Sequence, residues 1–181
     1  MDMYELKFTV LQQEILRFLF VKSGMSFTAR ALALALNVSP TAIAKSLKGL
    51  AKEGLVKVEK DRDSGRLSIQ LNKDNPLVFS LKRAENLRFI YESGLAEFLG
   101  DAFPGSAIVL FGSYSFGEDT VTSDIDIAVI GSREKEVGLG RFSKLLEREV
   151  RLNFYESLGS INKNLKESIV NGIVLKGAIR L

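Results

Sequence analysis

The chain has 181 residues, 46% hydrophobic and 26% charged, with a net charge of +3, the make-up of an ordinary globular protein of one large domain or two small ones. Cysteine and histidine are both absent, which excludes disulfides, thiolate and imidazole metal sites, thiol nucleophiles and histidine-based triads. Any chemistry must rest on carboxylates, hydroxyls, lysine, arginine or a metal held by oxygen. The charge is uneven: residues 1–80 carry 12 basic and 8 acidic side chains, residues 81–181 carry 13 and 14. A basic front half before a near-neutral back half fits a nucleic-acid-binding module joined to something else. The N-terminus lacks a basic region followed by an apolar core, and charges interrupt every apolar run before membrane-spanning length. The expected location is cytoplasmic, with no membrane partner.

In chain order, residues 4–22 place Leu6, Val10, Leu11, Ile15, Leu16, Leu19 and Phe20 near a 3.6-residue period, which predicts a helix ended at Gly24. Ser26 or Thr28 can cap a second helix, Ala29 to Leu36. Asn37-Val38 turns the chain, Ser39 caps a third helix and Pro40 takes its first position. That helix runs to about Glu53, with Gly54 behind it. Two alternating segments follow, Leu55 to Glu59 and Arg66 to Leu71, joined by the turn-rich Lys60-Asp61-Arg62-Asp63-Ser64-Gly65. Three helices and a hairpin, with a short turn between the second and third helices, resemble a winged helix-turn-helix domain.

The third helix has two faces. Ile43, Leu47 and Leu50 share one; Lys45, Lys48 and Lys52 share the other, a basic stripe suited to phosphates. Thr41, Ala42 and Ser46 are placed to approach base edges, and Lys57, Lys60, Arg62 and Arg66 to set the wing along the backbone. The candidate DNA-binding residues are Thr41, Lys45, Ser46, Lys48, Lys52 and Arg62, the partner double-stranded DNA. Asn72-Lys73-Asp74-Asn75-Pro76 is polar and ends in proline, so the boundary is set between a 1–75 domain and a 76–181 domain.

The back half begins with a helix from Ala84 to Leu99, with Leu87, Tyr91, Leu95, Phe98 and Leu99 towards the core. Phe103-Pro104-Gly105 turns into an apolar run, Ile108-Val109-Leu110-Phe111, that reads as a buried strand. It stops at the tight turn Gly112-Ser113. Ten residues on, Ser123-Asp124-Ile125-Asp126-Ile127-Ala128-Val129-Ile130 starts a second strand. Side chains at i and i+2 share a strand face, so Asp124 and Asp126 point one way and Ile125, Ile127 and Val129 the other. Two adjacent carboxylates repel; a Mg²⁺ ion, which binds oxygen ligands through one or two carboxylates plus substrate phosphates, removes the conflict. Gly112 lets backbone approach a phosphate closely, and amides at a turn attract anions. Past a polar loop, Gly131 to Gly140, lies a helix marked by Phe142, Leu145 and Leu146. Val150, Leu152 and Phe154 alternate with Arg151, Asn153 and Tyr155 in a third strand. Ser160 caps a final helix with Ile161, Leu165 and Ile169, and Ile173 to Leu175 add a short strand.

Gly112-Ser113, ten residues, then Asp124-Ile125-Asp126 resembles the signature of the minimal nucleotidyltransferases of the DNA polymerase beta superfamily, over about the last hundred residues. The resemblance implies an α/β (α+β) two-domain protein: an N-terminal winged helix-turn-helix and a C-terminal small mixed-sheet nucleotidyltransferase fold. It implies Asp124 and Asp126 as catalytic and Mg²⁺-binding residues, and Gly112 and Ser113 as nucleotide-binding. The expected reaction moves a nucleoside monophosphate, AMP from ATP or another nucleoside triphosphate, to a hydroxyl acceptor. Relatives paired with HEPN-type toxins adenylylate the partner protein, so a protein hydroxyl is one candidate acceptor; a nucleic-acid end and a small molecule are others. Active relatives also supply a third carboxylate from the third strand. By pattern that place falls on Arg151, or one pair along on Asn153, with Glu149 of the right parity at the strand's entrance. The alternative is therefore a catalytically degenerate nucleotide sensor or antitoxin-like, partner-binding transcriptional regulator, and a third reading is a DNA-binding regulator whose C-terminal domain only forms a homodimer.

Overall fold

The computed structural model describes residues 7–60 and 67–179. The chain divides into two compact units, Met1–Val78 and Phe79–Leu181.

The first unit is a helical triad with a hairpin. Helix α1 (Val10–Val21) starts later than its apolar period suggests. Thr9 is the reason: its hydroxyl accepts from the Gln12 amide, and the Gln12 side chain accepts from the Thr9 amide, a reciprocal cap. Leu6 of the expected helix lies outside the described residues. Helix α2 (Ala29–Ala35) is capped by Thr28 and helix α3 (Pro40–Lys52) by Ser39 with Pro40 in its first turn. Between them Asn37 takes the left-handed conformation, which asparagine tolerates well. Strands β1 (Val56–Lys60) and β2 (Leu67–Leu71) pair antiparallel, and Phe27 bridges to Ile69 at the far edge. Ile15, Leu19, Leu32, Ile43, Leu50, Leu55 and Ile69 close the core. This is a winged helix-turn-helix arrangement.

The second unit is built on a four-stranded mixed sheet. Helix α4 spans Pro76–Glu92 and α5 Leu95–Ala102. The single expected helix is thus two, broken at Gly94, whose φ of +76° no helix accommodates; Tyr91 is exposed, because the buried face of α4 runs through Lys82, Asn86 and Ile90. Strand β3 (Ala107–Phe111), the short helix α6 (Gly112–Phe116) and strand β4 (Ile125–Ile130) follow. Helix α7 (Gly140–Leu146) crosses over to strand β5 (Val150–Tyr155), which runs parallel to β4. Helix α8 (Lys163–Val170) is capped by Asn162, not Ser160, and strand β6 (Ile173–Lys176) closes the order β5-β4-β3-β6.

The sheet's two faces have different cores. Ile108, Leu110, Ile125, Ile127 and Val129 pack with Ile90, Leu95, Leu99 and Phe142 on one side. Val109, Phe111, Ala128 and Ile130 pack with Ile161 and Ile169 on the other. At the end of α6, Gly117 lies backbone to backbone against Phe79 and Arg83 of α4, where a Cβ would come within 2.7 Å of the Arg83 amide nitrogen. No described helix is long and apolar enough to cross a membrane.

Candidate functional site

Phe111, the last residue of β3, pairs with Asp126 of β4, and Asp126 pairs with Arg151 of β5. The chain leaves β3 at Gly112 with φ +72° and coils at once into α6. A side chain at 112 would put its Cβ 2.9 Å from Asp126 Oδ2. The glycine therefore does two things: it supplies the left-handed turn, and it lets the backbone that enters α6 press against the Asp126 carboxylate. Ser113 is half-buried, and its hydroxyl bonds to no described residue. The turn expected at Gly112-Ser113 is the first turn of a helix, whose opening amides have no intrahelical partner.

The acids occupy one face, as strand parity requires. Asp124 sits just before β4 and Asp126 within it, while Ile125 and Ile127 are fully buried on the opposite face. The Thr120–Ser123 turn, in which each residue's amide donates to an oxygen of the other, delivers Asp124 to the strand. The two carboxylates differ in their company. Arg151 Nη1 lies 2.7 Å from Asp124 Oδ2, and Arg151 Nη2 lies 3.0 Å from Glu149 Oε2. Asp126 takes no ion pair or hydrogen bond from a described residue. Burial, then the neighbouring Asp124 charge, push its carboxyl above the usual aspartate range, with Arg151 pulling the other way. Tyr155, on the same face of β5, is also raised, by burial and then by Asp126.

Two bare oxygens of Asp126 beside a glycine turn, with Asp124 two residues away, suit a hard divalent cation whose other ligands are phosphate oxygens and water. The donor set fits one such ion. Among the described residues no group of three or more acids is placed to hold a metal. Of the places considered for a third acid, Arg151 stands level with Asp126 and Asn153 one pair on; Glu149 precedes the strand and is tied to Arg151.

A second charged cluster had no signature in the sequence. Lys82 and Asn86 of α4, Asp119 between α6 and β4, and Arg148 before β5 are all buried. Lys82 Nζ forms an ion pair with Asp119 Oδ1, Asn86 Nδ2 donates to the same oxygen at 2.7 Å, and Arg148 Nη2 reaches Asp119 Oδ2 at 3.4 Å. Asn86 Nδ2 also donates to the Tyr114 carbonyl in α6 at 2.9 Å. One carboxylate thus ties α4 to the α6–β4 connection, which leads to Asp124, and to the residue two before β5, which leads to Arg151. Lys82 lies four residues before Asn86, which puts both on one helical face, a spacing that any exposed helix also offers.

In the first unit, Thr41, Lys45, Lys48 and Lys52 are exposed along one stripe of α3, opposite buried Ile43, Leu47 and Leu50. Ser46 is off that stripe. It is half-buried on the flank towards α1, its carbonyl accepting from Gln12 Nε2 at 3.4 Å. Arg62, Arg66 and the hairpin connection lie outside the described residues.

Residues 92–175 match the family model of the nucleotidyltransferase domain. The matched residues lie within the second unit. No curated protein matches it significantly. Among solved structures, the Streptococcus pyogenes adhesin competence repressor AdcR is similar at 24% identity and a TM-score of 0.42, over 54% of this chain and 69% of that one. Lactococcus lactis ZitR, a zinc-responsive MarR family member, is similar at 24% identity and 0.41, over 55% and 65%. The S. aureus MepR–DNA complex is similar at 18% identity and 0.39, over 52% and 81%.

Proposed function

We propose that the protein is a Mg²⁺-dependent nucleotidyltransferase that carries its own DNA-binding winged helix. The observation that carries this reading is the close approach of the Gly112 turn to Asp126: it brings phosphate-binding amides and a bare carboxylate to one spot. The Gly112 and Ser113 backbone and the Ser113 hydroxyl bind the β- and γ-phosphates of ATP or another nucleoside triphosphate. Asp126 and Asp124 would hold the cation, which would supply charge neutralisation for the nucleotide's phosphates. The hydroxyl of an acceptor attacks the α-phosphorus, its proton leaves to solvent or a nearby base, and pyrophosphate departs. The acceptor is a hydroxyl, on a protein such as a HEPN-type toxin, on a nucleic-acid end or on a small molecule. The exposed lysine stripe of α3 supplies phosphate contacts to duplex DNA, so that the protein serves in transcription regulation.

Incubation with α-labelled ATP and Mg²⁺, with and without the product of a neighbouring gene, tests it. Covalent label that disappears in Asp124→Asn with Asp126→Asn is the expected result. A second reading rests on Arg151 at the place of a third carboxylate: a sensor that binds nucleotide without transferring it. Mg²⁺-dependent nucleotide binding with no label on any acceptor would select that reading.

A further inference from the structure

Arg151 is held by two acids of different standing. Asp124 belongs to the acid pair; Glu149 does not, and its side chain is 63% exposed. The guanidinium spans them, one nitrogen on each. Yet by strand register Arg151 stands level with Asp126, which is left bare. Its side chain is about half exposed, so nothing in the packing fixes it on Asp124.

We propose that Arg151 is an exchangeable counter-cation: it neutralises Asp124 until a metal–nucleotide arrives, then passes to the phosphates. The proposal rests on the nucleotide reading of this site. A divalent ion alone can use Asp126 freely but must compete with a guanidinium for Asp124, and it meets the repulsion of that fixed positive charge. Metal without nucleotide therefore binds weakly. A metal carrying a polyphosphate brings its own negative charge. It takes Asp124 and gives the guanidinium a better partner, since arginine pairs with phosphate through two parallel donors. Glu149 keeps the side chain within reach during the exchange, as a tether on the far nitrogen. Metal and nucleotide should strengthen each other's binding, and by linkage to the same degree. Polyphosphates should be preferred over monophosphates, which offer fewer oxygens once the metal is satisfied.

The test uses Mn²⁺ as the probe, titrated into the full chain and followed by electron paramagnetic resonance, first alone and then with ATP. Arg151→Met keeps the apolar stem and removes the charge. It should bind Mn²⁺ alone up to about fivefold more tightly than wild type, the scale expected for loss of a partly exposed ion pair, and should lose much of the mutual strengthening with ATP. Glu149→Gln frees the guanidinium from its tether, and should leave Mn²⁺ affinity unchanged or lower it while weakening the ATP effect less than Arg151→Met does. Unchanged or weaker Mn²⁺ affinity in Arg151→Met, with the fold intact by circular dichroism, overturns the proposal. Failure of the underlying reading looks different: wild type would then show no Mn²⁺-dependent ATP binding, and Asp126→Asn would leave metal affinity as it was.

Discussion

Two arginines three residues apart make ion pairs of opposite kinds. Arg148 is buried against Asp119, which also takes Lys82 and Asn86; Arg151 is half exposed between Asp124 and Glu149. The first pair has no access to a ligand and joins three segments of the chain. The second lies open beside the one bare acid of the site. Burial decides the difference: an enclosed charge can only be satisfied by fixed partners, whereas an exposed one can trade partners with what arrives from solution.

Asp119→Ala should give the largest effect. It removes the carboxylate that two buried cations share, a loss of about 3–5 kcal/mol, read by urea denaturation, and nucleotide binding should fall with it because the Asp124 segment loses its anchor. A loss below about 1 kcal/mol would make the cluster no stronger than a surface pair and would erase the contrast.

The lysine stripe extends the exposed side of the comparison to the first unit. Lys45, Lys48 and Lys52 changed together to Ala should barely alter stability. If each meets a phosphate, the slope of log affinity for duplex DNA against log salt should flatten by about 2.7, at about 0.9 per contact. Ser46→Ala should change little, since it lies off the stripe.

Gly112→Ala should cost about 1–2 kcal/mol for a non-glycine residue at positive φ. It should also displace the Asp126 carboxylate, so Mg²⁺-dependent nucleotide binding should be lost well beyond what the stability change explains. Isothermal titration separates the two.

Asp126 itself makes a finer test. Its carboxyl is raised by burial, so ionising it works against the fold. That contribution to stability is fully present below the unfolded aspartate range and is lost as pH rises through the folded value. Asp126→Asn should therefore be as stable as wild type or slightly more so at neutral pH, with the gain vanishing at about pH 3, below the ordinary aspartate range. Metal binding should fail on acidification earlier than an ordinary aspartate would allow. Arg151→Met should move that failure to still higher pH, since Arg151 holds the Asp126 value down. The smallest effect is the stability change in Arg151→Met, within about 1 kcal/mol.

The parts legible in the sequence were those written in local chemistry. Ser39-Pro40 marks the start of α3 without help from the fold, and the lysines opposite Ile43 and Leu47 show its open face. The parity of Asp124 and Asp126 follows from strand geometry, and Arg151 facing the acids follows once β5 is recognised. The break at Gly94 was missed because the apolar positions on either side keep a helical rhythm. Ser160 resembles a cap as much as Asn162 does, and tertiary placement chose between them. The Asp119 cluster could not be seen at all: Lys82, Asp119 and Arg148 look like any surface charges, and only the packing of three distant segments buries them.

The contact at Gly117 has a mechanical consequence. Backbone laid directly on backbone leaves no side chain to slip, so the end of α6 cannot shear along α4. With Asn86 fastening the Tyr114 carbonyl a turn earlier, α4 is joined to the α6 segment at two points. A tilt of α4 within the second unit would be delivered whole to Gly112, only five residues from that fulcrum.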